Sequence, residues 1–221
     1  MKFVDDLLGL EATRSYGRPD LIRARASEIF FKSVEKNAVE IGMSVNSKKT
    51  QLLAIDTTQR SNTFIVTEDK DENHHIIRGG DEMKLLGFYF GRSPNASKHV
   101  WHLKRKFWAR AWVIRHLKKA NVPTPDLIKA YKSLVLPILD YTAVVYHSLL
   151  KKSEEKELEN LQKGALRIIH GHKTSYEDCL ELSGMPTLKN RRLDLVDKFI
   201  KKTATNPKYK AWFPKKTSEQ T

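Results

Sequence analysis

Two regimes of hydrophobic patterning divide the chain. Up to about Gly91 the apolar residues come in short runs separated by polar clusters, and beyond Pro94 they recur every three or four residues. In the first regime, Met1-Lys2-Phe3-Val4 and Leu7-Leu8-Gly9-Leu10 flank the acidic pair Asp5-Asp6, which predicts strand, tight turn, strand. Ala26, Phe30, Val34, Ala38 and Ile41 form the apolar face of a helix over 19–43 that should pack on a sheet, with Pro19 in its first turn and Gly42 near its end. Strands are predicted over 51–56, 63–67, 75–78 and 84–91, the last after Gly79-Gly80.

In the second regime a helix is predicted over 97–120, capped by Ser97, with Val100, Leu103, Phe107, Ile114 and Leu117 on one face. Residues 121–125 break it. A second helical stretch over 125–150 should kink or restart at Pro137, and a third over 153–170 carries Leu158, Leu161, Ala165, Ile168 and Ile169 and stops at Gly171. Thr174 and Glu177 fit a capping box for a short helix ending near Gly184, and a last helix runs over 187–204. The pattern predicts an α+β chain: a small mixed part over 1–93, a helical part over 94–205 and a flexible tail over 206–221.

Composition narrows the class. A hydrophobic share of 40% in 221 residues suffices for a core, so wholesale disorder is excluded. The single cysteine, Cys179, permits neither an internal disulfide nor a Cys-rich zinc site. Asp5 and Asp6 interrupt the place where a signal peptide would be apolar, and Pro137, Asp140 and His147 break the most apolar later run. The expectation is an intracellular protein of nucleus or cytoplasm, with no membrane partner and no glycan on the Asn95-Ala96-Ser97 sequon.

Charge changes the picture most. Lys and Arg number 40 against 26 Asp and Glu, and residues 83–125 hold ten of the cations and no acid at all. A second basic excess lies over 182–221. Basic groups without interspersed carboxylates attract polyanions, nucleic acid foremost, by releasing its condensed counterions. A solvated basic face or an acidic protein partner are the alternatives. Within the acid-free block, Trp101, Trp108 and Trp112 stand among Lys98, Lys104, Arg105, Lys106, Arg110, Arg115, Lys118 and Lys119. The tryptophans suit stacking on nucleic acid, but one packed apolar stripe explains their spacing as well and is the favoured reading. Duplex binding through 98–119 should weaken steeply with salt, and charge reversal at Lys104, Arg105 and Arg110 should reduce it. His74-His75 and the group His99, His102, His116 lack cysteines or a carboxylate at ligand spacing and read as surface histidines.

Asp5 and Asp6 are the sharpest catalytic candidates, since carboxylates at a strand-turn-strand tip can ligate Mg²⁺, although taken alone the pair is better explained as a solvated turn. Asp69, Asp71 and Glu72 read as a solvated polar turn. Phe3-Val4-Asp5-Asp6, then Asn46-Ser47-Lys48-Lys49-Thr50-Gln51, then Lys84-Leu85-Leu86-Gly87-Phe88-Tyr89-Phe90 resembles the end of a reverse transcriptase palm. The likeness is to retrotransposons lacking long terminal repeats, of the jockey-like kind. It continues through Leu127–Lys132, Val135–Tyr141, Leu158–Gln162, Ala165–Gly171, Leu182–Leu188 and Arg191-Arg192.

That resemblance implies a partial polymerase palm, an antiparallel sheet plus a helix, followed by an all-helical thumb. It implies Mg²⁺ at Asp5 and Asp6, and Lys49, or its neighbour Lys48, near the triphosphate of an incoming deoxynucleotide. It makes Leu86, Gly87 and Phe88 the hairpin that grips the primer, with glycine allowing close backbone approach. The implied substrates are an RNA template and a DNA primer. Phe3 replaces the commoner tyrosine, and no Cys-His knuckle is present. Nucleotidyl transfer uses two metals clamped by carboxylates from two palm motifs, and the first would lie upstream of Met1. The expectation is therefore an RNA-directed DNA polymerase fragment inactive alone; a non-catalytic nucleic-acid-binding module or a decayed element is the alternative.

Overall fold

The computed structural model describes residues 19–46, 50, 51, 53, 64–68, 74–78, 81–93 and 95–212. Asp5, Asp6, Lys48, Lys49, the Asp69–Glu72 turn and the tail beyond 212 lie outside these residues. Of the strand expected over 51–56, Gln51 and Leu53 are described, and neither is in a strand. The architecture is α+β, mostly helical with small antiparallel sheets. The chain divides into two compact units, 1–84 with 90–94 and 85–89 with 95–221.

In the first unit, α1 (Pro19–Glu40) lies against β1 (Phe64–Glu68), as a helix with an apolar face on a sheet should. β1 pairs antiparallel with β2 (His74–Arg78), Phe64 opposite Arg78 and Glu68 opposite His74. The buried face of α1 differs from the sequence reading. Phe31 is buried while Phe30 and Ile41 are exposed, so the inward stripe runs through Phe31, Val34, Glu35 and Ala38. Burial raises the Glu35 carboxyl pKa, against the lowering effect of Lys32. Gly42, at φ +75°, ends the helix: its N–H donates to the Val39 carbonyl and that of Met43 to the Ala38 carbonyl, a Schellman closure.

The strand expected over 84–91 is instead a hairpin, β3 (Glu82–Leu85) and β4 (Phe88–Gly91). Leu86 (φ +45°) and Gly87 (φ +84°) make its turn. Positive φ at both central residues is what a type I′ turn demands, because its twist matches that of the flanking strands.

The second unit is helical: α2 (Ser97–Lys119), α3 (Thr124–Ala130), α4 (Leu136–Asp140), α5 (Ala143–Tyr146), α6 (Lys152–His170), α7 (Tyr176–Ser183) and α8 (Leu188–Ala204). α2 and α6 pack on each other, burying Phe107, Ala111, Ile114, Leu158, Leu161, Ala165 and Ile169, and Leu127, Tyr131, Val135 and Leu139 extend the core. Each Leu, Ile, Val or Phe among them contributes about 1.5–3 kcal/mol when fully buried. The interruption expected at Pro137 is a π turn over Tyr131–Val135, in which the Leu136 N–H bonds to the Tyr131 carbonyl. Pro137 has no N–H, and its ring would meet the carbonyl four residues back; a widened turn gives it room.

Two caps shift by one residue from the sequence reading. Ser97 is not the cap of α2; its own N–H bonds to the Asn95 side-chain oxygen at 3.0 Å, and its hydroxyl donates to Glu154. Ser175, not Thr174, caps α7 by accepting from the Asp178 N–H at 3.1 Å, while the Thr174 hydroxyl donates to the His170 carbonyl. Gly171 (φ +99°) and Gly184 (φ +56°) end α6 and α7, and Thr187 caps α8. No described helix is long and apolar enough to cross a membrane.

Candidate nucleic-acid interface

His99 helps hold the hairpin tip on the helical unit. His99, in the first turn of α2, is buried and stacked on Phe88 with ring centroids 4.4 Å apart. The Tyr89 N–H donates to its Nδ1 at 3.4 Å, which leaves the proton on Nε2 to be donated to Thr142 Oγ1 at 2.7 Å. Burial pushes the imidazole pKa down to about 4, with Lys106 and His102 lowering it further. His99 is therefore a neutral core residue, which corrects its reading as a surface histidine. Tyr89 stacks on His102 at 3.6 Å, with Lys106 over its ring at 5.1 Å.

Of the three residues expected to grip a primer, Phe88 is buried against His99, whereas Leu86 is 69% exposed. Gly87 gives close approach to a side chain: a Cβ there would fall 2.8 Å from Cε1 of Tyr141. A leucine at positive φ is strained by roughly 1–2 kcal/mol, so the turn holds an apolar side chain out to solvent at a cost.

The cations of α2 separate into groups. Lys104 is bonded to Glu157 at 2.7 Å, and Lys118 Nζ donates to the Ile169 carbonyl at 2.9 Å, closing the C-terminus of α6. Lys106 and Arg110 point away from the tryptophan side of the helix, given about 100° of rotation per residue. By the same rotation Trp101, Arg105, Trp108, Trp112, Arg115 and Lys119 share one stripe, with Lys98 flanking it. Arg110, Arg115 and Lys119 are exposed and make no ion pair among the described residues. The trio Lys104, Arg105 and Arg110 thus does not share a face.

The tryptophans are not the packed stripe that their spacing suggested. The buried face of α2 runs through Val100, Leu103, Phe107, Ala111 and Ile114, whereas Trp101, Trp108 and Trp112 are 50%, 42% and 59% exposed. Trp108 is partly anchored: its indole tip lies 2.7 Å from where a Cβ on Gly164 would be, and it meets Phe107 edge-on. Arg105 lies over the Trp101 ring at 4.8 Å, and the His116 ring lies 3.6 Å from that of Trp112, fixed by a 2.9 Å bond between His116 Nδ1 and the Trp112 carbonyl.

No family model, curated protein or solved structure matches the chain. The physical arrangement stands by itself: an acid-free helix with an exposed aromatic and cationic stripe, carrying a strained hairpin tip on its first turn. Among the described residues no group of three or more His, Cys, Asp or Glu side chains is placed to hold a metal ion.

A partly buried polar hub lies in the same unit. Gln162 accepts from the Tyr131 hydroxyl at 3.4 Å and donates to Tyr176 and to the Pro186 carbonyl. Glu159 accepts from the Tyr176 hydroxyl and from the N–H groups of Leu188 and Lys189 at the start of α8. Burial, then the bond to Glu159, raises the Tyr176 hydroxyl pKa, so it stays a donor. Asp140 takes Arg191 in a bidentate pair, with contacts of 2.7–3.0 Å. These bonds fix α4, α6, α7 and α8 relative to one another, and α2 packs on α6.

Proposed function

We propose that the chain is part of an RNA-directed DNA polymerase of the kind found in retrotransposons lacking long terminal repeats, its helical unit being the thumb that grips a template–primer duplex. The observation that carries this reading is the seating of the Leu86-Gly87 turn on the first turn of α2 through His99, which couples a strained, exposed apolar tip to an acid-free basic helix. An exposed strained turn is expected where a backbone must approach a ligand closely. A helix with cations and no carboxylates is expected where that ligand carries phosphates. On the same reading Asp5 and Asp6 serve Mg²⁺, Lys49 serves a deoxynucleoside triphosphate, and residues 1–93 belong to a palm.

Binding of a labelled RNA–DNA template–primer by the full chain, followed across salt concentration, tests it. Arg115→Glu with Lys119→Glu should weaken binding at least tenfold at low salt and flatten the slope of log affinity against log salt by about 2. No binding at low salt, or a salt-independent affinity, would refute it.

A further inference from the structure

We propose that the tryptophans on the exposed stripe of α2 form a stacking platform for single-stranded nucleic acid, sharing the stripe's cations with duplex binding but adding contacts that a duplex does not use. The proposal rests on the nucleic-acid reading above and adds the strand state of the ligand. Three observations carry it. First, Trp101 and Trp112 are half exposed or more although a separate stripe supplies the buried face of their helix. Second, each ring is held in orientation by its neighbours, Trp101 by the Arg105 guanidinium over its ring and by His102 edge-on, and Trp112 by the His116 imidazole. An indole held in orientation yet half exposed keeps ring surface for a ligand. Third, Arg105, Arg115 and Lys119 interleave with the rings on the same stripe, and no acid lies on α2.

Aromatic faces ordered in a row among cations match a ligand that alternates π-faces with phosphates. In a duplex the base faces are covered by their neighbours, so the indoles would have only sugars and phosphates to meet; in a single strand the bases are free to stack. Trp101 and Trp112 stand about 16 Å apart along the helix axis, a span that a few nucleotides of single strand cover. Trp108, between them, is anchored on Gly164 and Phe107 and serves as the floor of the platform.

The test titrates the full chain with an oligothymidylate of about 20 nucleotides and with a blunt duplex of equal length, reading tryptophan fluorescence and anisotropy. The single strand should quench the indoles and bind several-fold tighter than the duplex. Trp101→Leu with Trp112→Leu should lose about tenfold or more in single-strand affinity, with most of the quenching, while duplex affinity stays within about twofold. Trp101→Phe with Trp112→Phe, which keeps a ring at each site, should recover most of the loss, so that a folding defect is separated from a stacking one. Single-strand affinity unchanged in the Leu pair, or equal loss on both ligands, overturns the platform. Intact duplex binding with no single-strand binding overturns this inference alone, and failure of both ligands to bind removes the nucleic-acid reading with it.

Discussion

A Cβ on Gly87 would stand 2.8 Å from Cε1 of Tyr141. The contact and the backbone both oppose any side chain there, but unequally. Tyr141 is 74% exposed and its ring can swing away, whereas φ of +84° disfavours every L-residue. Gly87→Ala should therefore cost about 1–2 kcal/mol, and adding Tyr141→Ala should restore little of it. Urea unfolding of the two single variants, the double variant and the parent measures both terms. Complete rescue by Tyr141→Ala would assign the cost to the ring instead.

Leu86 gives the opposite expectation. Its side chain buries little and its φ of +45° is unfavourable, while asparagine before glycine is the preferred pair for this turn. Leu86→Asn should raise stability by about 1 kcal/mol and, under the proposed function, weaken template–primer binding. Thermal midpoints and affinities recorded on the same samples would show whether the two effects part; a stabilised variant with unchanged affinity would leave the exposed leucine without a binding role.

Protonation of His99 should loosen the hairpin. Its pKa is about 4 in the folded chain against 6.5 ordinarily, so between these values the unfolded chain takes up a proton that the folded chain refuses. The contribution is fully present above about pH 6.5 and is lost as pH falls toward 4, on the order of 3 kcal/mol in all. His99→Phe keeps the stack on Phe88 but leaves the Thr142 hydroxyl and the Tyr89 N–H without their imidazole partner, costing about 1–3 kcal/mol near neutral pH. Unfolding free energies at several pH values should show a shallower acid slope in the variant; parallel curves would mean that His99 is not the titrating group.

Glu159 should matter more than its partial exposure suggests. Glu159→Ala strips the partner from the Tyr176 hydroxyl and from two N–H groups at the positive end of α8, for a cost of about 1–3 kcal/mol. Glu159→Gln keeps an acceptor oxygen and should cost less. Amide exchange at Leu188 and Lys189 is the local readout, and exchange unchanged in the Ala variant would deny Glu159 its capping role.

Much of this fold is legible in the sequence because helix ends announce themselves chemically. Gly42, Gly171, Gly184 and Thr187 all act where their residue types suggested. The shifted caps have local competitors: Ser97 gives its hydroxyl to the remote Glu154 and leaves Ala96 at the helix start, and Thr174 turns its hydroxyl back to the His170 carbonyl while its neighbour Ser175 caps α7. The same limit applies to side-chain faces. The tryptophan spacing fits a buried stripe, but α2 has a second stripe of smaller apolar residues, and α6 packs on that one. Phe30 and Phe31 differ by one position, which periodicity resolves poorly and burial resolves at once. His99 was illegible as a core residue because its partners, Tyr89 and Thr142, are remote in sequence.

The π turn over Tyr131–Val135 makes residue count, not only residue type, a constraint on this unit. A widened turn spends one residue more than an α-helical turn, so everything after it is rotated by about 100° relative to an unbroken helix. Deleting Ser133, an exposed residue with a replaceable local bond, would let the backbone heal into an ordinary helix while turning Asp140 from Arg191 and Tyr141 from Gly87 together. Substitution at that position should be silent and removal disruptive, so chains related to this one should vary in sequence there while keeping its length.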